Sequence, residues 1–390
     1  MSPTQARDNW PEAMSSSKNK TTRNKSASKK AAAKGNRPKE TEAETDSTSL
    51  SLAGSQYLVS WLAGQGVSLA FTSAQTSKLF LVGPTAEGEL SVAERTIPRC
   101  KGLVAHGRSL YVSADWQIWR FENALDAGER SDGFDAVYVP KASHVTGDID
   151  CPEMAVDGDG RLVFVNTRFN CLAYLSRDYS FNPVWKPDFV SAYVPEDRCH
   201  LTGLALHEGR PAFATATARS DEDGGWKESL KDGGVVVHVM SGEVICDGLS
   251  MPRAPRMHGR TLWLQEAGTG YLGRVNKDDG KFEPVARCPG FLTGMTIVGN
   301  FAVACVSRMP EGEAYADLDL QMNLQQSDTE PSCGLLVVEL TSGNIIHWLR
   351  LDGVIEEISG VTVLPGVFKP RAVGFKTDEI ARTISLPPEL

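Results

Sequence analysis

Four stretches of this 390-residue chain concentrate side chains able to do chemistry: Asp148, Asp150 and Glu153; Asn166 and Arg168; Glu196, Asp197, Arg198 and His200; and Glu356 with Glu357. Carboxylate and amide oxygens are hard ligands, suited to calcium or another divalent ion that polarises a carbonyl or activates water. Asp148, Asp150, Glu153, Asn166, Asp197 and Glu357 are the candidates for that role, with Asp148, Asp150, Asn166 and Asp197 as the narrower metal set. Arg168, Glu196, Arg198 and His200 complete a candidate binding site, joined by the flanking Arg253 and Arg256. The competing reading is structural, because Asp–Arg and Glu–Arg neighbours such as Asp197 and Arg198 often form ion pairs that lock elements together. Other chemistries are not written here. The chain has no G-x-S-x-G, H-E-x-x-H or P-loop, and Gly268-Thr269-Gly270 lies between strands with no helix to hold a phosphate. Cys199 and His200 are adjacent, and strand neighbours point to opposite faces, so they make a poor nucleophile pair.

The elements that position these residues show as an internal repeat. A small residue, a short apolar run, a glycine-containing turn and a second apolar run recur. They begin at Gly102 (LVAHGRSLYVS), Glu153 (MAVDGDGRLVFVN), Gly203 (LALHEGRPAFAT), Ala254 (PRMHGRTLWLQ), Gly294 (MTIVGNFAVAC) and Gly360 (VTVLPG). Successive starts are 51, 50, 51, 40 and 66 residues apart. A period of about 40–50 residues built from short strands is the signature of a β-propeller. Six repeats predict six blades in an all-β fold. The last repeat lacks its second half, whereas GVSLAFTSAQTSKLFLVGP (66–84) reads as a strand pair without a repeat start. These N-terminal strands are expected to complete the last blade, closing the ring and removing exposed strand edges. Seven blades is the rival count if 55–95 forms a blade alone. The candidate residues cluster at the repeat starts, where strands open onto one end of the channel. Six-bladed hydrolases and lactonases hold a divalent ion in such a channel. Asp157-Gly158-Asp159-Gly160 and the run 276–280 resemble calcium loops but sit where hairpins must turn, and lack the closing Glu of an EF-hand. The run 310–330 has six acidic and no basic residues. It reads as a surface insertion or as a lid over one end of the ring.

Composition divides the chain. Residues 1–50 carry ten Lys/Arg and six Asp/Glu, with no Val, Ile, Phe, Tyr or Cys; the rest carries −13 of a whole-chain charge of −9. A segment so poor in apolar side chains cannot offset the cost of ordering its backbone, about 1–2 kcal/mol per residue. The expected organisation is a disordered basic and polar tail (1–52), a propeller (53–375) and a C-terminal extension (376–390). The basic run 18–39 could attract nucleic acid or an anionic surface, but it has no interleaved aromatics and reads as a solvated linker; beyond it, nucleic acid is not an expected partner. No apolar stretch approaches the roughly 18 residues of a membrane span, no secretory signal opens the chain, and the eight cysteines never form C-x-x-C. These features place the protein in the cytoplasm, away from membranes.

The stretches TGDIDCPEMA, VNTRFNCLAYL, WKPDFVS, PEDRCHLTGLAL, GLSMPRAPR, CPGFLTGMTIVG and TVLPGV resemble an uncharacterised family of bacterial conserved hypothetical proteins, sometimes found near tetratricopeptide-repeat proteins. The resemblance spans about 55–375 and implies the propeller fold without assigning an activity. The family pattern has His where Pro152 and Arg253 stand, Asn-Ser where Glu266-Ala267 stand, and Arg where Thr293 stands. Two imidazoles able to bind metal or transfer protons are thus replaced. The reading preferred on these grounds is a non-enzymatic propeller that binds an unknown protein or small-molecule ligand at one end of its channel, with no cofactor. The alternative is a metal-dependent hydrolase or lactonase-like enzyme using the carboxylates above.

Overall fold

The computed structural model describes residues 50–276, 278–326, 330–376 and 378–384. Its strands form six antiparallel blades around one axis. The closing blade pairs Gly360–Pro365, from the C-terminal part, with Val67–Ser73, Lys78–Pro84 and Leu90–Thr96 from the N-terminal part. This is the closure expected from the incomplete last repeat, and it rules out the seven-blade count. The other inner strands are Leu103–His106, Met154–Val156, Leu201–His207, Pro252–His258 and Phe291–Val298. We number the blades 1 to 6, with the closing blade as 1 and the blade begun by Phe291–Val298 as 6.

The repeat begins with a small residue because consecutive inner strands approach closely there. A Cβ on Gly102 would lie 2.9 Å from the Pro152 carbonyl carbon, and one on Gly294 would lie 3.0 Å from the Gly360 Cα. Each blade interface then carries its own apolar cluster. Phe71 and Phe80, stacked at 4.9 Å, belong to the cluster between blades 6 and 1, and Phe164 with Met154 to that between blades 2 and 3. Each fully buried side chain of this size contributes about 1.5–3 kcal/mol.

A ring of polar staples runs beside these clusters. From the second strand of one blade, Ser113 Oγ donates to the Cys151 carbonyl (2.8 Å), Thr167 Oγ1 to Leu201 (2.7 Å), Gln265 Nε2 to Gly294 (3.0 Å) and Ser307 Oγ to Ile358 (3.2 Å). Thr72 Oγ1 donates to Lys101 in the same way, and at the blade 4–5 boundary Thr202 Oγ1 donates to Pro252 (2.6 Å). Every blade boundary thus has a side-chain hydrogen bond to a carbonyl in the next inner strand or in the loop entering it, so register between blades is fixed by directional bonds as well as by apolar burial.

The chain ends clasp the closing blade from both sides. Ser51–Gly54 pairs along the outer strand of blade 6, and Pro370–Ala372 pairs in parallel with Ala136–Tyr138 of blade 2. Both cover strand edges that would otherwise be open to another chain. Ser51 and Leu52, assigned from composition to the tail, therefore belong to blade 6; the disorder expected for the rest of that tail falls on 1–49, outside the described residues. The helix Leu58–Gln65 links the clasp to blade 1. It buries Leu58 and Leu62, one turn apart, and ends at Gly66, whose φ of +64° suits a left-handed cap. Of the C-terminal extension, Glu379–Arg382 forms a helical turn, and Arg371 donates to Glu379.

Candidate functional site

The loops entering the inner strands all arrive at one end of the channel. In four blades the residue three positions before the repeat start adopts a left-handed backbone: Arg99 (φ 44°), Asp150 (46°), His200 (50°) and Met251 (51°). Non-glycine residues in this region carry a cost of order 1 kcal/mol or more. The recurrence marks a shared bend where each loop turns into the inner strand.

Asp150 is held by Lys101 of blade 2, an ion pair that joins two blades at the rim. Burial opposes ionisation of Asp150, but Lys101, then His200 and Arg168, more than offset it and hold the carboxyl below its ordinary value. In blade 4, His200 Nδ1 lies 2.9 Å from Asp197 Oδ2, and the imidazole stacks on Trp226 at 4.1 Å. The carboxylate and indole together fix the ring. The second oxygen, Asp197 Oδ1, is buried with no hydrogen-bond partner among the described residues. Glu357 of blade 1 accepts from Ser359 Oγ at 2.8 Å, and its backbone N–H donates to Gln75 Oε1.

Arg253 lies among these groups. Its guanidinium sits 5.6 Å from the Phe291 ring centre, its Nε is buried, and it makes no hydrogen bond or ion pair among the described residues. Burial pushes its pKa down; Tyr315, Asp150, Glu357 and Asp197 act the other way, near enough to be felt electrostatically yet out of bonding reach. Three residues further along the strand the situation reverses. Arg256 donates through both Nη atoms to Glu153, at 2.9 and 3.0 Å, bridging blades 5 and 3 across the channel. Burial raises the Glu153 carboxyl pKa and Arg256 opposes that rise.

The acidic insertion docks at this same end. Leu320 N–H donates to the Gly268 carbonyl (2.8 Å) and Asn323 Nδ2 to that of Thr269 (2.9 Å), while Leu318, Leu320 and Leu324 are buried against blades 5 and 6. The Gly268-Thr269-Gly270 turn is thus the landing for the helix Asp319–Gln326: a Cβ on Gly270 would lie 2.7 Å from Leu320 Cδ1. Tyr315 meets Phe291 edge-on at 6.5 Å, which brings the insertion to the mouth beside Arg253.

Asp150, Asp197, His200 and Glu357, proposed from sequence, therefore face the mouth. The remaining candidates have other positions. Asp148 and Arg168 pair at 3.1 Å on the exposed rim. Arg198 takes Glu196 and Asp221, both at 2.7 Å, and not the neighbouring Asp197 as its sequence position implied. Asn166 Oδ1 accepts from the Phe169 N–H, the bond of a turn-forming residue. The Asp157 loop is likewise a turn, with Oδ1 accepting from the Asp159 and Arg161 N–H groups. Among the described residues no three His, Cys, Asp or Glu side chains come close enough together to hold a metal ion. The set Asp148, Asp150, Asn166 and Asp197 is dispersed over separate partners and does not fit a divalent cation. Lys101, Trp226 and Tyr315 were missed from sequence, and Arg253 and Arg256 were noted only as flanking. Lys101 and Arg253 each stand immediately before a repeat start, so alignment of the repeats would have found them. Trp226 and Tyr315 sit in loops outside the repeat and gave no such signal.

Fold and site together define a six-bladed β-propeller with a charged mouth at the entry end of its inner strands. The chain belongs to the family described as Domain of unknown function (DUF4915), which it matches over residues 56–373. No curated protein matches it. Among solved structures it is similar to one of the nidogen/laminin complex (13% identity, 77% of this chain and 99% of that chain, TM-score 0.48). It is also similar to a protein of unknown function from Bacteroides caccae (10%, 76% and 98%, 0.46) and to a catalytically inactive virginiamycin B lyase from Staphylococcus aureus with quinupristin (12%, 73% and 76%, 0.37).

Proposed function

We propose that this propeller binds a small-molecule ligand or a partner's protruding group at the channel mouth, and does so without catalysing a reaction. The carrying observation is Arg253, a half-buried guanidinium with a fully buried Nε, without a hydrogen-bond or ion-pair partner among the described residues and surrounded by groups from blades 1, 3 and 4 and from the insertion. Withdrawing a charge from water is expensive unless it is paired, so a guanidinium with no carboxylate in bonding reach is a candidate for pairing with something that arrives from outside. The alternative, a metal-dependent hydrolase, finds no supporting cluster of His, Cys, Asp or Glu ligands among the described residues. The eight cysteines are unpaired and buried, which supports a reducing, cytoplasmic setting. Among the described residues no helix is long and apolar enough to cross a membrane.

The test is a thermal-shift screen of small polar compounds on the full chain, with each hit titrated calorimetrically against Arg253→Met and Arg260→Met. Arg260 lies in the turn between the first two strands of blade 5, at the opposite end of the channel. Binding should disappear in the first variant and persist in the second. Hits that survive Arg253→Met but are lost in Arg260→Met would move the site to the other end and defeat the proposal.

A further inference from the structure

The mouth contains three carboxylates and two of them are already engaged by basic groups: Asp150 by Lys101, and Asp197 by His200. Glu357 is not. Among the described residues its side chain is bonded to the Ser359 hydroxyl and to no cation, since the nearby Arg308 pairs with Glu356 at 2.8 Å. Arg253 is the complementary case, a cation with no anion in bonding reach.

These two groups flank the same inner strand. Arg253 precedes the repeat start of blade 5 and lies over Phe291, which stands three residues before the repeat start of blade 6. Glu357 holds the equivalent position, three residues before Gly360, in blade 1. Blade 6 separates the two and is fastened to blade 1 beside Glu357, where Ser307 Oγ and Thr293 Oγ1 both donate to the Ile358 carbonyl. The fastened strand keeps guanidinium and carboxylate a blade apart at the same end of the channel, near enough to be felt electrostatically but with no ion pair between them. Phe291, buried beneath Arg253 and edge-on to Tyr315, backs the guanidinium on its inner side.

A free anion such as phosphate would satisfy Arg253 but meet Glu357, Asp150 and Asp197 unfavourably, and a free cation would satisfy Glu357 but meet Arg253. Only a ligand carrying both signs complements both groups. We infer that the mouth is a site for a small zwitterion, with its carboxylate taken by Arg253 and its ammonium group by Glu357. This rests on the mouth being the binding site and adds the chemical class of ligand.

The experiment titrates the full chain by calorimetry with glycine, β-alanine and γ-aminobutyrate, which step the distance between the two charges, and with acetate and ethylammonium as single-charge probes. At least one zwitterion should bind about tenfold or more tighter than acetate. Glu357→Gln, which is nearly isosteric, should erase that advantage, the zwitterion losing its ammonium partner while acetate, freed of one repelling carboxylate, binds at least as tightly as to wild type. Arg253→Met should abolish both responses. Zwitterions all within about threefold of acetate, or an advantage that survives Glu357→Gln, would overturn the inference. If Arg253→Met does not fold, Glu357→Gln decides alone. Should screening hits require Arg253 while no zwitterion surpasses acetate, the mouth remains a binding site and only the ligand class falls. Hits indifferent to Arg253 would remove the mouth itself.

Discussion

Arg256 and Arg253 are three residues apart on one inner strand and have opposite surroundings. In the channel waist, Arg256 and Glu153 satisfy each other through two hydrogen bonds. At the mouth, Arg253 Nε and Asp197 Oδ1 are both buried without a hydrogen-bond partner among the described residues. The waist has the geometry of an ion pair that holds blades in place. The mouth has the incomplete bonding of a place kept for a ligand. Natural proteins accept such local instability where function requires it.

Breaking the waist should have the largest effect. Glu153→Gln removes the charge that neutralises Arg256 in the channel and should cost about 3–5 kcal/mol in urea unfolding. If the loss is negligible, the waist is not structural and the contrast fails. Next, Thr167→Val removes one staple of the blade ring and orphans the Leu201 carbonyl, for a loss of about 1–3 kcal/mol. A smaller change should follow Asp150→Asn, about 1 kcal/mol near neutral pH. Because the folded-state pKa of Asp150 is depressed, the unfolded chain binds the extra proton, and the stabilisation is present above about pH 4 and lost as pH falls further. The difference between wild type and Asp150→Asn should therefore shrink on acidification; a constant difference from pH 7 to pH 3 would mean that the Lys101 pairing is irrelevant. Burial pushes the Cys100, Cys171, Cys246, Cys288 and Cys333 thiols up to about 12. Iodoacetamide at pH 8 should leave all eight cysteines unmodified in the native protein and label them in denaturant, as mass spectrometry would show. Rapid native labelling would mean that the blade interfaces open.

Much of the ring could be read from the sequence, because the repeat start is dictated by sterics: Gly102, Gly203, Gly294 and Gly360 lie where inner strands nearly touch, and the spacing of such positions is the spacing of blades. The closing blade was legible for the same reason, as a repeat with half its strands missing. The site was read less well. Residue type alone cannot tell Asn166, which caps its own turn, from a ligand, nor say that Arg198 would choose Asp221, 23 residues away, over adjacent Asp197. Long-range choices of this kind depend on where loops outside the repeat come to rest. The same holds for Trp226 beneath His200 and for Tyr315 beside Arg253.

The central claim, that Arg253 is held for a ligand and not for the fold, is tested most directly by the unfolding free energy of Arg253→Met in the absence of ligand. Replacing an unpaired, half-buried cation with an apolar side chain of similar reach should raise stability by about 0.5–1 kcal/mol. A loss of stability comparable to that of Glu153→Gln would show that Arg253 is a structural residue and contradict the account.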